Sequence, residues 1–180
     1  MCLLAACGGE ARPDLQPMQF NIDPGRVDAP VEAAALGIRF QPPAGWTLLS
    51  AAALDSINQA LSGEALILQP QYVFSHPANG SELKVDTLGR ISLLGEQVAR
   101  HGEALAGRHP GASIQQDQYL KDGIHVAQFL VQSGGYVTFT LFFASSKEGL
   151  IQFDYIVPQA AYPGQIKAIE SSIGSIQLVE

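Results

Sequence analysis

The sequence predicts an α+β fold, in which an antiparallel β-sheet is flanked by helices. The main observation is a run of four alternating segments between residues 112 and 157, joined by short turns rich in glycine, which is typical of an antiparallel meander. The second observation is helical periodicity in segments both before and after that run. With 180 residues, the chain has the length of one domain.

The part of the chain before the meander carries signals for three strands and a first helix. Residues 37–42 alternate as a short strand that ends at a pair of prolines. Ser50 is suited to cap a helix that Gly63 would end, with apolar residues at helical spacing, namely Leu54, Ile57 and Leu61. Residues 65–74 form an apolar run in which Pro70 indicates an edge strand or a bulge. Residues 82–86 alternate strictly between charged and apolar side chains and predict a further strand.

Two more helices are predicted, one on each side of the meander in the sequence. The second helix is closed by Gly107 and Pro110 and carries an apolar stripe formed by Leu94, Val98, His101 and Leu105. The last helix has Pro163 near its start and one apolar side formed by Ile166, Ile169, Ile173 and Ile176. Because such a side must be buried, we expect the last helix to lie on the sheet.

Tight turns in the meander determine which side chains share a face of the sheet. With two-residue turns at Asp122-Gly123 and Gly134-Gly135, one face is densely apolar and is expected to be covered by helices. Its residues are Ile124, Val126, Leu130, Val137, Phe139, Leu141, Phe143, Ile151, Phe153, Tyr155 and Val157. The opposite face, which we call the mixed face, combines aromatic and polar side chains: His125, Phe129, Tyr136, Thr138, Thr140, Phe142, Gln152 and Asp154.

The mixed face has two interpretations. It is either a surface half open to water or covered by a loosely packed helix, or it is a surface for a ligand or partner. In the second case the candidate binding residues are His125, Tyr136, Thr138, Thr140, Gln152 and Asp154. Trp46, which follows a proline turn, is interpreted as a core or rim aromatic, with an exposed binding anchor as the alternative.

The order of these elements resembles the PsbP-like fold. The likeness is carried by FQPPAGW at residues 40–46, by FDYIVP at residues 153–158 and by the helix ending IESSIGSI at residues 169–176. It covers most of residues 36–178. This fold is shared by the photosystem subunit PsbP, a Ran-binding nucleotide-release factor, DcrB-like bacterial lipoproteins and chaperones for secreted effectors. The resemblance implies an α/β/α sandwich that acts by binding, and it carries over no catalytic residue.

Four of the first seven residues match a bacterial lipobox. In Leu4-Ala5-Ala6-Cys7, apolar and small residues precede a cysteine of the kind that is lipidated on its thiol and becomes the new N-terminus. A full signal has a basic region and an apolar region of about 7–15 residues, so we expect residues 1–7 to be the remnant of a longer signal. The alternative is an accidental apolar N-terminus of a cytosolic protein.

Residues 8–35 are predicted to form a flexible tether between the lipid anchor and a single PsbP-like domain at residues 36–180. The segment has little periodicity and holds four of the eleven prolines of the chain. A flexible chain of this length reaches about 30 Å, which would hold the domain clear of the lipid headgroups. Alternatively, residues 18–22 pack on the domain as an extra strand.

Composition disfavours several classes of protein. The formal charge is −7, and Lys and Arg are scattered, which disfavours nucleic acid and anionic lipid as partners. Apolar residues make up 47% of the chain and charged residues 15%, which indicates a globular protein rather than a disordered one. The cysteines, Cys2 and Cys7, both precede the domain, so neither a disulfide nor thiol chemistry is expected within it.

The sequence shows no enzyme signature. It contains neither a G-x-S-x-G elbow nor a glycine-rich phosphate loop. No two of its four histidines have the spacing of a helical metal site, and His101 falls on an apolar stripe, as a partly buried, hydrogen-bonded histidine does. His125 and Asp154 share the mixed face, but the register separates them by on the order of 13 Å, too far for an acid–base pair. We therefore expect no catalytic residue, metal or cofactor.

The expected function is that of a lipid-anchored protein on the periplasmic side of a bacterial envelope membrane, acting as a non-catalytic binding or accessory subunit for another envelope protein. One alternative is a carrier of a small apolar ligand, or a small hydrolase, with a pocket under the last helix. Another is an immunity-type inhibitor of a secreted toxin. A deep apolar cavity with a few converging polar groups would favour the carrier or enzyme, and a shallow exposed patch would favour the accessory subunit.

Overall fold

Eleven strands and three α-helices lie within the residues that the computed structural model describes, which are 15–61, 69–88, 94–108 and 110–179. The strands are β1 (Gln16–Pro17), β2 (Val31–Ala33), β3 (Ile38–Phe40), β4 (Thr47–Leu48), β5 (Gln69–Ser75), β6 (Glu82–Thr87), β7 (Ser113–Lys121), β8 (Ile124–Ser133), β9 (Tyr136–Ser145), β10 (Gly149–Pro158) and β11 (Gln177–Leu178). The helices are α1 (Ala51–Leu61), α2 (Leu94–Arg108) and α3 (Tyr162–Ser175), and short 3₁₀ turns cover Pro24–Arg26 and Ala34–Leu36.

An eight-stranded sheet is the centre of the fold. Its strands lie in the order β1-β7-β8-β9-β10-β6-β5-β4, and all neighbours pair antiparallel except β1 and β7, which pair parallel. A second sheet of three short antiparallel strands has the order β11-β3-β2. The predicted α+β class is confirmed.

The meander is formed by β7 to β10, as the sequence predicts. Asp122 and Gly123 have φ values of 50° and 82°, and Gly134 and Gly135 have φ values of 60° and 82°. Both central residues of a type I′ hairpin turn need positive φ, so these are the two-residue turns that set the predicted register. Thr140 accordingly pairs with Asp154 across β9 and β10.

The other predicted elements are also present. Ser50 caps α1, since its Oγ accepts a hydrogen bond from the backbone N–H of Ala53 at 3.3 Å. The register of β5 shifts between Pro70 and Tyr72, which confirms the bulge. Proline has no N–H to donate to a ladder, so the strand accommodates it by this irregularity.

The main core lies between the sheet and α3. Ile169 and Ile173 of α3 are 0% and 3% exposed and pack on the apolar face of β8, β9 and β10, as predicted. Trp46 joins this core at 3% exposure, and its Nε1 donates to Oε1 of Gln165 at 3.1 Å. Trp46 is therefore a packing residue.

A smaller core lies on the opposite face, under α2. Val98 of this helix packs against four buried residues of β8 and β9: Ala127, Phe129, Val131 and Phe142. The mixed face is thus covered over this part by a helix, in agreement with the first of its two interpretations. Among the described residues, no helix combines the length and the apolar character needed to cross a bilayer.

The segment of residues 15–35 is packed on the domain, which corrects the predicted tether. Met18 donates its N–H to the Leu120 carbonyl at 2.8 Å, and the ring of Phe20 lies 5.9 Å from that of Tyr119. Val27 is 8% exposed and Ala33 is fully buried. Phe20 lies against both β7 and Gly174 of helix α3, whereas Val27 is bridged to Pro43 and Ala33 pairs with Ile38 of β3. A chain rich in proline can bury these side chains with only short strands. The alternative prediction of an extra strand agrees with the structure in that this segment contributes a strand to the sheet. That strand is β1, however, and it precedes residues 18–22.

Several predicted features lie outside the described residues. They are the lipobox with Cys7, Cys2, residues 8–14 of the predicted tether, the helix-ending Gly63, the start of the apolar run at 65–68, and His109.

Candidate functional site

A cavity of about 450 Å³ lies between helix α2 and the mixed face, and we call it the α2 cavity. It is partly open to solvent, and its volume falls within the range of roughly 300–1,000 Å³ that is common for small-molecule sites. Helix α2 contributes His101 and Leu105. The sheet and its turns contribute Val131, Ser133, Gly134, Tyr136, Thr138, Thr140, Gln152, Asp154 and Ile156.

The cavity exists because the side chains beneath α2 differ in size along the sheet. The large rings of Phe129 and Phe142 support the helix through Val98. Beyond them, Thr138 and Thr140 are too short to fill the space below Leu105. A gap with apolar walls and a few polar groups therefore remains between helix and sheet.

The carboxylate of Asp154 is held in place by two short hydrogen bonds. The Thr140 hydroxyl donates to Oδ1 at 2.6 Å, and Nε2 of Gln152 donates to Oδ2 at 2.6 Å. Thr140 and Gln152 are each 3% exposed, so their own positions are determined by packing. Asp154 is half-buried and presents a preorganised acceptor to the cavity.

A second carboxyl lies on the neighbouring strand. Asp86 of β6 pairs with Gln152 across the ladder and is 2% exposed. The pKa of Asp86 is raised to about 7, chiefly by burial and secondly by the charge of Asp154, while the charge of Lys84 acts in the opposite direction. Among the described residues, Oδ1 of Asp86 has no hydrogen-bond partner.

The pKa of Asp154 is also raised, chiefly by burial. The hydrogen bonds from Thr140 and Gln152, and the charge of Lys84, act in the opposite direction because they favour the ionised form. Lys84 is the cross-strand partner of Asp154, but its Nζ forms an ion pair with Glu82 at 3.2 Å.

His101 lies on the helix side of the cavity, packed against aromatic rings. Its ring centre is 4.9 Å from that of Phe129 and 5.0 Å from that of Phe142. Burial, and secondarily the charge of Arg108, lowers the pKa of His101 to about 4, so the ring is neutral at pH 7. Its Nε2 is buried and has no hydrogen-bond partner among the described residues. The predicted apolar packing of His101 is confirmed, whereas a hydrogen bond to Nε2 is missing because its neighbours are aromatic.

Of the six candidate binding residues, five line the α2 cavity, namely Tyr136, Thr138, Thr140, Gln152 and Asp154. The sixth, His125, lies at the other end of the mixed face, and its Nε2 is hydrogen-bonded to Oε1 of Gln118 at 2.9 Å. His125 therefore lies on the mixed face but outside the α2 cavity, because the register that places it on this face also separates it from Asp154.

Asp86 and Lys84 were not predicted to belong to the site, and His101 was assigned only to packing. The strict alternation of residues 82–86 does predict that the charged side chains share one face. That this face is the mixed face follows only from the pairing of β6 with β10, and a connection of more than 60 residues separates these strands.

Among the described residues, the main core fills the region beneath α3, where one alternative expected a ligand pocket. A cavity of about 580 Å³ does adjoin α3, but it lies between this helix and residues 18–26 and is lined by charged side chains such as Arg26, Lys167 and Glu170. Within the described ranges, no group of three His, Cys, Asp or Glu residues is arranged to hold a metal ion.

The chain is similar in structure to cyanobacterial PsbP (CyanoP) from Synechocystis sp., with a TM-score of 0.53 and 14% sequence identity, over 97% of this chain and 98% of that protein. No protein-family model matches the sequence, and no curated protein matches it. The central sheet between α2 and α3 is the α/β/α sandwich that the sequence resemblance implies. The chain therefore has a PsbP-like fold.

Proposed function

We propose that this chain is a non-catalytic binding protein of a bacterial envelope, which is anchored through a lipid on Cys7 and holds a small, mainly apolar ligand in the α2 cavity. The observation that carries the proposal is the cavity itself. Its walls include Leu105, Val131 and Ile156, and a few polar groups converge on the same space. This combination is typical of ligand sites and differs from a shallow exposed patch.

The arrangement of the polar groups supports binding rather than catalysis. Both oxygens of Asp154 accept short hydrogen bonds from neutral donors, which hold the carboxylate as a fixed acceptor. The histidine of the mixed face, His125, is engaged by Gln118 at the far end of the sheet. No proton relay is formed between these two residues, which are separated by on the order of 13 Å along the strand direction.

The ligand can be tested with an apolar fluorescent dye and a variant that fills the cavity. Thr138→Phe places an aromatic ring in the α2 cavity, and Thr47→Phe adds the same ring at an exposed position on β4. We expect the wild-type chain and Thr47→Phe to bind Nile red equally, and Thr138→Phe to bind it at least fivefold more weakly. Equal fluorescence of all three proteins would refute binding in this cavity.

The lipid anchor is supported by Leu4-Ala5-Ala6-Cys7. Its test is to express the gene with its upstream region in a bacterium supplied with labelled palmitate and to measure the mass of the mature protein. Acylation at Cys7 is expected, together with its loss in Cys7→Ala. An unacylated protein with an intact N-terminus would remove the anchor from the proposal.

An accessory role for another envelope protein is a second candidate, favoured by the exposure of Tyr136. This side chain lines the cavity, yet it is 49% exposed, and tyrosine is frequent at protein interfaces. Crosslinked affinity capture from the native envelope, with a tag-only control, should then recover one stoichiometric partner. Tyr136→Ala should lose that partner, whereas Leu48→Ala, at a position 50% exposed on β4, should retain it.

A further inference from the structure

The α2 cavity lies beside two carboxyl groups whose charge, in the ionised form, the protein only partly compensates. Asp154 lines it, and Asp86 is coupled to Asp154 from the adjacent strand. Within the described residues, neither carboxyl forms an ion pair, since Lys84 is paired with Glu82. A half-buried carboxylate without a counterion is costly, and a cation that enters the site lowers that cost.

Asp154 can accept a further donor without losing its present ones. Each of its oxygens accepts one hydrogen bond from the described residues, and an ionised carboxylate has about four acceptor positions in total. The two bonds keep the carboxylate in one orientation toward the cavity. A donor from a ligand would thus meet a preorganised anion and would not need to displace Thr140 or Gln152.

His101 lines the helix side of the same cavity with an aromatic ring. Its Nε2 is buried and has no partner among the described residues, so a ligand would contact the ring rather than this nitrogen. Because the ring is neutral at pH 7, it adds no positive charge that would repel a cation.

These observations distinguish among the classes of small ligand. An anion would be repelled by Asp154 and Asp86 and by the overall charge of −7. A purely apolar molecule would remove water from Asp154 without replacing its hydrogen bonds. A molecule with an apolar body and a protonated amine can contact the apolar walls and also donate hydrogen bonds to the carboxylate.

We infer that the α2 cavity binds a small apolar amine, whose ammonium group donates to Asp154 while its apolar body contacts Leu105, Val131 and Ile156. This inference rests on the proposed function, because it names the ligand class of the same cavity.

The test compares two probes of similar shape and different charge. The full chain, isotope-labelled for amide NMR, is titrated at about pH 8 with phenethylamine and, separately, with phenethyl alcohol. Both are expected to shift the resonances of cavity residues such as Gly134 and Thr138. The amine should bind at least tenfold more tightly, because only the amine carries a positive charge.

Two variants that each remove one negative charge show whether the preference for the amine depends on Asp154. In Asp154→Asn we expect the preference for the amine to fall below twofold, with binding of the alcohol retained. Asp55→Asn, at an exposed position on α1, should keep the full preference. The dispersion of the amide spectrum shows whether each variant is folded. Whether the cavity prefers the amine is decided by the two-probe comparison on the wild-type chain, which does not need the variants.

The possible failures are distinct. Binding of the alcohol as tight as that of the amine by the wild-type chain would overturn the amine inference and leave the proposed cavity function in place. No shift of any cavity resonance by either probe would overturn both.

Discussion

Thr140 and Asp154 face each other across the β9–β10 ladder and are joined by a hydrogen bond of 2.6 Å from the threonine hydroxyl to Oδ1. The bond favours the ionised carboxylate, whereas burial favours the neutral form. The charge of the α2 cavity therefore depends on a neutral side chain of the adjacent strand.

Thr140→Val should raise the pKa of Asp154 further, because it removes a hydrogen bond to the ionised form at nearly constant volume. We expect a loss of about 1–3 kcal/mol in the free energy of unfolding, the usual cost of a bond to a charged group. Thr140→Ser retains the hydroxyl and should leave the pKa nearly unchanged, although it loses a methyl group. NMR titration of the Asp154 carboxyl, together with urea unfolding, checks both. An unchanged pKa in Thr140→Val would contradict the role of this bond.

Asp86 should make the protein less stable as the pH rises. Its pKa is about 7 in the folded chain and 3.8 when unperturbed, so the stabilisation is complete below pH 3.8 and is lost as the pH rises toward 7. Asp86→Asn should therefore raise the unfolding free energy at pH 8, by up to about 4 kcal/mol at roughly 1.4 kcal/mol per pKa unit, and change it little at low pH. Asp154, whose pKa is also raised, contributes a slope of the same sign and remains in this variant.

The control for that experiment is Asp55→Asn, which removes an equal charge from an exposed position. Urea unfolding across the pH range should show no gain for this variant at pH 8. A gain of similar size in both variants would attribute the effect to net charge rather than to the burial of Asp86.

His101 should produce the opposite dependence on pH. Its pKa is about 4 in the folded chain and 6.5 when unperturbed, so the unfolded chain takes up the proton first and stability falls as the pH drops from 6.5 toward 4. His101→Phe keeps an aromatic ring against Phe129 and Phe142 and should remove this loss, which amounts to at most about 3 kcal/mol.

In the wild-type chain, the slopes from His101 and Asp86 oppose each other between about pH 4 and 6.5. Urea unfolding over this interval should show a larger gain in stability on acidification for His101→Phe than for the wild type, because the opposing slope is removed. Asp86→Asn should gain less than the wild type, because only Asp154 then opposes His101. The same slope in all three proteins would contradict both assignments.

Gly174→Ala should displace the N-terminal segment from α3. A Cβ at this position would lie 2.7 Å from Cβ of Phe20, which is too close for any real contact. Gly164→Ala, in the first turn of the same helix, has nothing within 4 Å and should gain from the higher helix propensity of alanine, by at most about 1 kcal/mol. We expect Gly174→Ala instead to be destabilised and to be cut faster by trypsin at Arg26.

The double variant Phe20→Gly, Gly174→Ala separates the cause. The Cβ that would lie 2.7 Å from the added methyl group is absent from it, so the methyl group should cost less than it does in the wild-type background. An equal cost in both backgrounds would show that the contact with Phe20 is not the source of the destabilisation.

The meander shows what local sequence can predict. Paired residues with positive φ at 122–123 and 134–135 require two-residue turns, and such turns set the register that places Thr140 beside Asp154. Five of the six candidate residues placed on one face by that register line the α2 cavity. His125 was grouped with them because a shared face says nothing about distance along the strands.

The N-terminal segment shows the limit of reasoning from composition. Prolines and weak periodicity in residues 8–35 are typical of a tether. Such a pattern describes the conformations that a segment can adopt alone, and it does not reveal a complementary surface elsewhere. Residues 15–35 pack because β7 accepts β1 along its edge and the side of α3 at Gly174 accepts Phe20 and Ile22.

The sequence by itself determined the three helices, the longer strands, the turns and register of the meander and the two faces of its sheet, because these depend on the spacing of neighbouring residues. Only the tertiary structure decided that β6 lies beside β10, which brings Asp86 close to Asp154, and that α2 crosses the mixed face above two short threonines. Long-range pairing and helix docking depend on the fit of surfaces that are distant in the chain. The α2 cavity and its charge are products of that fit.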